Sequence, residues 1–290
     1  MSSTPLSFEG VGFAYESKAV LDGFTLSLHP GEVTVVASPN GRGKTTALWL
    51  AAGLLRPDRG EVRVFGADPF RQREVLGRVG FLAEGVPLPE KWTGAQILAF
   101  QRETFPKWSA AIADELVGAL GLDLGARVSA MSRGERGKLA LTATLATEPE
   151  LLLLDEPTLG LDVAARRMIT KAVLGRMAEA GCAVLLASHD IADAERIGDR
   201  LVVIQDGRVA VDEPIPELLE RHRVLSWDGP GEPDPRWGAV ALPSPLGRRA
   251  LATRWGEEAS AAWRRAGGME APADLETIYL GLTGEVRHAW

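Results

Sequence analysis

Hydrophobic and polar positions alternate over residues 6–13 (LSFEGVGF) and again over 24–28, the period-two signature of half-buried strands. A third alternation, EVRVFG (61–66), follows the turn residues Asp58-Arg59-Gly60. Three other segments are nearly unbroken apolar runs: EVTVVA (32–37), LLLLD (151–155) and CAVLLAS (182–188). Strands read this way when helices cover both faces of a parallel sheet. Helical patterns flank these runs, at 45–55 and 163–179 for example. Buried strands alternating with helices predict an α/β fold built on a mostly parallel sheet. Residues 93–147 read mostly as helix, opened by the capping-box pattern Thr93-Gly-Ala-Gln96. Late in the chain, LVVIQ (201–205) and RVAVD (208–212) flank Asp206-Gly207, a strong hairpin signal.

Near residue 222 the character of the chain changes. DGPGEPDPRWG (228–238) is rich in proline and glycine and reads as a linker, and five of the eight tryptophans fall at 227 or later. The length of 290 residues fits one large or two modest domains. A net charge of −7 argues against a nucleic-acid partner, which needs a basic footprint. The single cysteine, Cys182, excludes an internal disulfide and reads as a small buried hydrophobe. The four histidines show no zinc spacing. The segment MSSTPLSFEG has neither a basic start nor an apolar core, and no apolar run approaches the ~18 residues of a membrane span, so a cytoplasmic location is expected.

The chemistry concentrates at a few strand ends. ASPNGRGKTT (37–46) lies between a buried strand and an apolar helix pattern, the context of a phosphate-binding loop. Gly41 and Gly43 let backbone amides wrap round oxygens. Lys44 would reach the β- and γ-phosphates, and Thr45 would offer its hydroxyl to Mg²⁺. The strict pattern wants glycine where this chain has Ser38. If that position demands a positive φ, serine there is strained by about 1–2 kcal/mol. In LLLLDEP (151–157), Asp155 and Glu156 stand at the C-terminal end of a strand, where parallel sheets bind ligands. Asp155 would hold Mg²⁺ directly or through water, and Glu156 would accept a proton from the attacking water or orient it. His189, in SHD (188–190), follows the next buried strand and can contact a γ-phosphate. In MSRGER (131–136), Ser132 and Glu135 form a capping box, and Gly134 exposes amides at the positive end of a helix.

Taken in order, these motifs resemble the ATP-binding subunit of an ABC transporter over about residues 6–222. SPNGRGKTT is similar to the Walker A motif, LLLLDE to Walker B, MSRGER to the LSGGQ signature, PTLGLD (157–162) to the D-loop, and His189 to the H-loop switch. The resemblance implies a P-loop NTPase core with a mostly parallel sheet, an antiparallel β subdomain, an inserted helical subdomain at about 85–142, and a small C-terminal extension at 223–290. It implies ATP and Mg²⁺ as ligands, ATP hydrolysis as the activity, and Ser38, Asn40, Gly41, Gly43, Lys44, Thr45 and Thr46 as the phosphate loop. Tyr15 matches the aromatic that stacks on adenine, with a packed strand aromatic as the alternative. Glu84 falls where the family has the Q-loop glutamine, and either residue type offers an oxygen to Mg²⁺ or its water. Asp162 closes the D-loop. Departures from the pattern are Ser38, Arg133 for the signature's first glycine, Glu135 for its glutamine, and Leu159 for a small D-loop residue.

The family's arrangement further implies two subunits meeting head to tail, so that Ser132 and Gly134 serve the partner's ATP. The partner ATPase can be a second copy or a paralogue. An integral membrane subunit would carry the pathway, with residues 85–108 as the candidate contact surface and a position on the cytoplasmic face of the cell membrane. ADLETIYLGLTGE (273–285) is similar to the closing segment of many single-domain exporter ATPases, which favours export over import. A soluble ABC ATPase acting on ribosomes or DNA is the alternative. The late tryptophans either pack a small subdomain or form a dimer or regulatory contact.

Overall fold

The computed structural model describes residues 4–39, 41–83, 85, 87–159, 166, 180–189, 191–228, 232–242 and 248–284. The helix expected at 163–179 lies outside the described residues apart from Arg166, as do Asn40, Glu84 and Asp162. Contacts group the chain into two compact units, residues 1–189 with 202–211, and residues 190–201 with 212–290.

In the first unit, β1 (Leu6–Tyr15) pairs antiparallel with β2 (Lys18–Ser27) and with β4 (Arg59–Val64), in the order β2-β1-β4. A second sheet is built on the apolar runs. β3 (Val33–Ala37), β6 (Leu151–Asp155) and β7 (Ala183–Ala187) are buried at every position. With β5 (Val79–Leu82), β8 (Arg200–Gln205) and β9 (Arg208–Pro214) they form a sheet of order β5-β6-β7-β3-β8-β9. The β5–β6, β6–β7 and β7–β3 pairs are parallel. Asp206 and Gly207 both have positive φ, 50° and 76°, as a two-residue hairpin turn matching strand twist requires.

Helix α1 (Lys44–Ala51) packs its Ala47, Leu48, Leu50 and Ala51 into one core with Leu6, Phe8 and Phe24 of the antiparallel sheet and Leu151, Leu153 and Leu185 of the parallel one. Each large side chain so buried stabilises the fold by about 1.5–3 kcal/mol. The helix stops at Ala51, short of the expected 55, although AAGLL continues the apolar pattern. Gly53 adopts φ 65° and packs against Pro69, whose carbonyl oxygen would lie 2.5 Å from any Cβ added there. The stop itself is local: Gly53 N–H donates to the Leu50 carbonyl and Leu54 N–H to the Trp49 carbonyl, the paired bonds of a glycine C-cap.

Helices α2 (Gly94–Thr104), α3 (Ala110–Leu120) and α4 (Arg133–Leu145) fill the region expected to be helical. Both expected capping boxes are present, Thr93 with Gln96 and Ser132 with Glu135. Ile97, Leu98, Met131, Leu139 and Ala143 make a separate small core, on which Trp92 and Trp108 pack half-buried. Much of the apolar area in the candidate contact surface is thus used internally. Phe100, set edge-on against Trp92, is left 51% exposed.

In the second unit, β10 (Arg223–Trp227), β11 (Val240–Leu242), β12 (Arg248–Ala252) and β13 (Met269–Pro272) form an antiparallel sheet of order β11-β12-β10-β13. Helices α5 (Ile191–Ile197), α6 (Ile215–Arg221), α7 (Glu257–Arg265) and α8 (Leu275–Thr283) accompany it. The tryptophans pack this small subdomain. Trp263 meets Trp227 and Trp237 edge-to-face at centroid separations of 5.5 and 5.8 Å, and Trp237 meets Trp255 at 5.3 Å. The Trp263 indole donates to the Met269 carbonyl, so its one polar atom is satisfied.

Candidate nucleotide site

The parallel strands deliver their C-terminal ends to one place. β3 exits into the loop at Ser38, β6 ends at Asp155, and β7 leads through Ser188 to His189. A cleft of about 430 Å³ lies over these ends. It collects Gly41, Gly43, Lys44, Thr45 and Thr46 of the loop with Asp155, Glu156 and His189, and Tyr15 stands at its margin. Lys18, Val20 and Leu159 also line it. Lys18 carried no sequence motif; it faces the site because the β1–β2 register sets it opposite Tyr15.

The loop is shaped by its glycines. Gly41 has φ 75° and open space around it. Gly43 has φ 107° and lies against β2, where an added Cβ would come within 2.8 Å of Leu21 and 3.3 Å of the Val20 carbonyl. Ser38 does not line the cleft. It is buried, is absent from the positive-φ residues, and bonds its hydroxyl to the Pro39 carbonyl. The condition under which serine would strain the loop is therefore not met. The Ser38 backbone carbonyl accepts from the Lys44 ammonium at 2.5 Å, which draws the lysine back over its own loop.

Across the cleft, Asp155 is buried at the end of β6, and Glu156 takes the left-handed conformation with φ 48°. For a non-glycine residue this costs about 1–2 kcal/mol. A backbone bond from Glu156 N–H to the Ala187 carbonyl holds it there. The turn swings the carboxylate toward β7, where the His189 Nδ1 lies 2.8 Å from Glu156 Oε2. The Glu156 side chain is 10% exposed and that of His189 56%, so the pair is open on the histidine side. Tyr15, 43% exposed, meets Phe13 in an edge-to-face contact with ring centroids 4.9 Å apart.

Ser132 and Gly134 do not join this cleft. Ser132 caps α4: its hydroxyl and amide both donate to Glu135 Oε2, at 2.7 and 2.8 Å. Those bonds from Ser132 hold the Glu135 carboxyl below its ordinary range. Two departures from the family pattern, Arg133 and Leu159, line a second cavity of about 120 Å³ that also touches Asp155 and Glu156.

A glycine loop between a parallel strand and a helix, facing two strand-end carboxylates, defines a phosphate-loop nucleoside triphosphatase. Known proteins narrow the class. The family model described as "ABC transporter" matches residues 21–159. The daunorubicin resistance ATP-binding protein DrrA3 of Streptomyces coeruleorubidus is 37% identical over 224 residues, 75% of this chain and 71% of that protein. The aliphatic sulfonates import ATP-binding protein SsuB 1 of Nocardia farcinica is 36% identical over 225 residues, 77% of this chain and 88% of that protein. A solved ATP-binding subunit of an ABC transporter superposes with TM-score 0.69 at 25% identity, covering 75% of this chain and 92% of that one.

The chain belongs to the ABC transporter ATP-binding family. It is an ATP-binding subunit of that kind, and ATP hydrolysis is the family's activity. No helix among the described residues is long and apolar enough to cross a membrane.

Proposed function

We propose that this subunit hydrolyses ATP in the Lys44–Glu156 cleft to drive export through a separate integral membrane subunit. The observation that supports it is the convergence of the phosphate loop, Asp155, Glu156 and His189 on one cleft. Lys44 and the loop amides bind the phosphates, and the exposed Tyr15 ring takes the adenine. Thr45 and Asp155 supply hard oxygen donors in the same cleft, which suits Mg²⁺, an ion that keeps waters and phosphate oxygens among its ligands. When bound there, Mg²⁺ neutralises charge on the transferring phosphoryl group. Glu156 accepts the proton of the attacking water, and His189 holds the carboxylate toward the γ-phosphate position. Glu84 and Asp162 complete the site in this reading, with Ser132 and Gly134 closing over the partner's nucleotide in a head-to-tail dimer.

Export is supported by the drug-resistance relative and by the Nod factor export ATP-binding protein I of Burkholderia pseudomallei, 34% identical over 227 residues, 76% of this chain and 73% of that protein. The helical subdomain at about 85–142 docks the membrane subunit, and Phe100 is its exposed apolar contact.

Glu156→Gln tests the chemistry. Removing a general base lowers turnover by about 10²–10⁴-fold, while ATP binding stays intact and the ATP-bound dimer accumulates. Undiminished hydrolysis would remove Glu156 from the base role. For the transport role, purification from membranes should bring an integral membrane protein with the chain. Recovery with ribosomes or DNA and no membrane protein would overturn it.

A further inference from the structure

Two ammonium groups line the nucleotide cleft, and only one of them belongs to the phosphate loop. Lys44 sits in that loop and donates to the Ser38 carbonyl. Lys18 comes from the β1–β2 hairpin, is exposed, and has no hydrogen bond or ion pair among the described residues. Asp155 and Glu156 bring two carboxylates to the same cleft. Lys44 alone would leave the side chains net negative toward an anionic ligand, and Lys18 supplies the second balancing charge.

The backbone fixes where Lys18 stands. Glu16 and Ser17 join the two strands, with Glu16 in the left-handed conformation at φ 52°, so Tyr15 and Lys18 are direct cross-strand partners. Two residues on, Val20 lines the cleft as well. Its carbonyl and its Cγ1 would lie 3.3 and 3.4 Å from a Cβ placed on Gly43. Strand β2 thus borders the cleft from the level of Tyr15, at Lys18, to the level of the phosphate loop, at Val20. Two residues of a strand span about 7 Å.

We propose that Lys18 is a nucleotide-binding residue that pairs with the α-phosphate. The inference rests on the reading above, with adenine at Tyr15 and the terminal phosphates at Lys44. Between those two positions a nucleotide has its ribose and its α-phosphate, and of these only the phosphate is anionic. ATP and ADP both carry that phosphate. Lys18 therefore holds substrate and product alike, and its grip persists after the γ-phosphate has left. It adds to the retention of ADP as much as to the capture of ATP.

Calorimetric titration of the full chain with Mg²⁺-ADP and with the non-hydrolysable Mg²⁺-adenylyl imidodiphosphate tests this. Lys18→Gln removes the charge from an exposed position that makes no bond among the described residues, so the variant folds. It should weaken both nucleotides by one common factor, about three- to tenfold for a charged contact open to solvent. Lys18→Arg should keep the affinity. The wild-type dissociation constants should also rise more steeply with salt than those of Lys18→Gln. Equal affinity of Lys18→Gln and wild type would overturn this inference alone. A larger loss for the imidodiphosphate than for ADP would overturn the α-phosphate assignment, and equal losses in Lys18→Gln and Lys18→Arg would overturn a role through charge. Lys44→Ala should weaken both nucleotides; unchanged binding there would overturn the cleft as the nucleotide site, and this inference with it.

Discussion

Gly43 carries the most closely fitted position of the phosphate loop, and alanine there is a quantitative test of how that loop is held. Two costs follow from the geometry. At φ 107° an L side chain is in a region it rarely adopts, a cost of about 1–2 kcal/mol. The new methyl would also sit 2.8 Å from Leu21 Cδ2 and 3.3 Å from the Val20 carbonyl. Leu21 is 1% exposed and cannot swing aside, so overpacking adds about 1–3 kcal/mol. The sum is about 2–5 kcal/mol, taken partly as lost stability and partly as a displaced loop. Gly41→Ala separates the two costs. It shares the positive φ but has open space around it, so about 1–2 kcal/mol is expected. Ser38→Gly relieves no backbone strain and should change stability by less than about 1 kcal/mol and ATP affinity by less than about tenfold. Urea unfolding followed by tryptophan fluorescence, with ATP titration of each variant, reads all three. If Gly41→Ala and Gly43→Ala cost the same, close approach to β2 does not define the loop. A large affinity gain from Ser38→Gly would mean that serine distorts it.

Two further predictions concern titratable groups. Burial pushes the Cys182 thiol up to about 12, so the native chain should resist thiol alkylation at pH 8 and become reactive only in denaturant; fast native labelling would contradict its buried packing. Burial also pushes His222 below its ordinary 6.5, with Arg221 acting in the same direction and the Leu218 carbonyl and Glu213 opposing. The unfolded chain then binds the proton more readily than the folded one. Stability contributed by neutral His222 is full above about pH 6.5 and declines as pH falls through and below that value. His222→Phe should flatten the pH dependence of the tryptophan-reported melting between about pH 5 and 6.5; an unchanged slope would show that other groups carry it.

Much of the architecture was legible because its signals are local. Strands buried on both faces must be apolar throughout, so β3, β6 and β7 stand out as runs. Asp206-Gly207 and the two capping boxes declare a turn and two helix starts by their own chemistry. The convergence of Lys44, Asp155 and His189 follows from three parallel strands ending on one side. What the sequence hid depends on contacts between distant segments. The helix stop at Gly53 was a local signal masked by an apolar pattern that runs on to Leu55, and only its close approach to Pro69 is non-local. Lys18 reaches the cleft through strand register alone. Ser38 reads as damage to a motif because the pattern records residue types, whereas the structure uses that position for its backbone carbonyl.

The left-handed backbone at Glu156 sets chain stability against chemistry at a single position. Glycine there would shed the steric cost, about 1–2 kcal/mol, and would delete the carboxylate that faces His189. A variant library sorted for thermal tolerance alone is therefore expected to drift toward glycine at 156 and, on the proposed base role, to lose turnover as it gains robustness. On the base role proposed for it, the glutamate persists only under a pressure that reads out catalysis. With Glu156 as the proposed base, its backbone cost is one that selection for work sustains and selection for endurance removes.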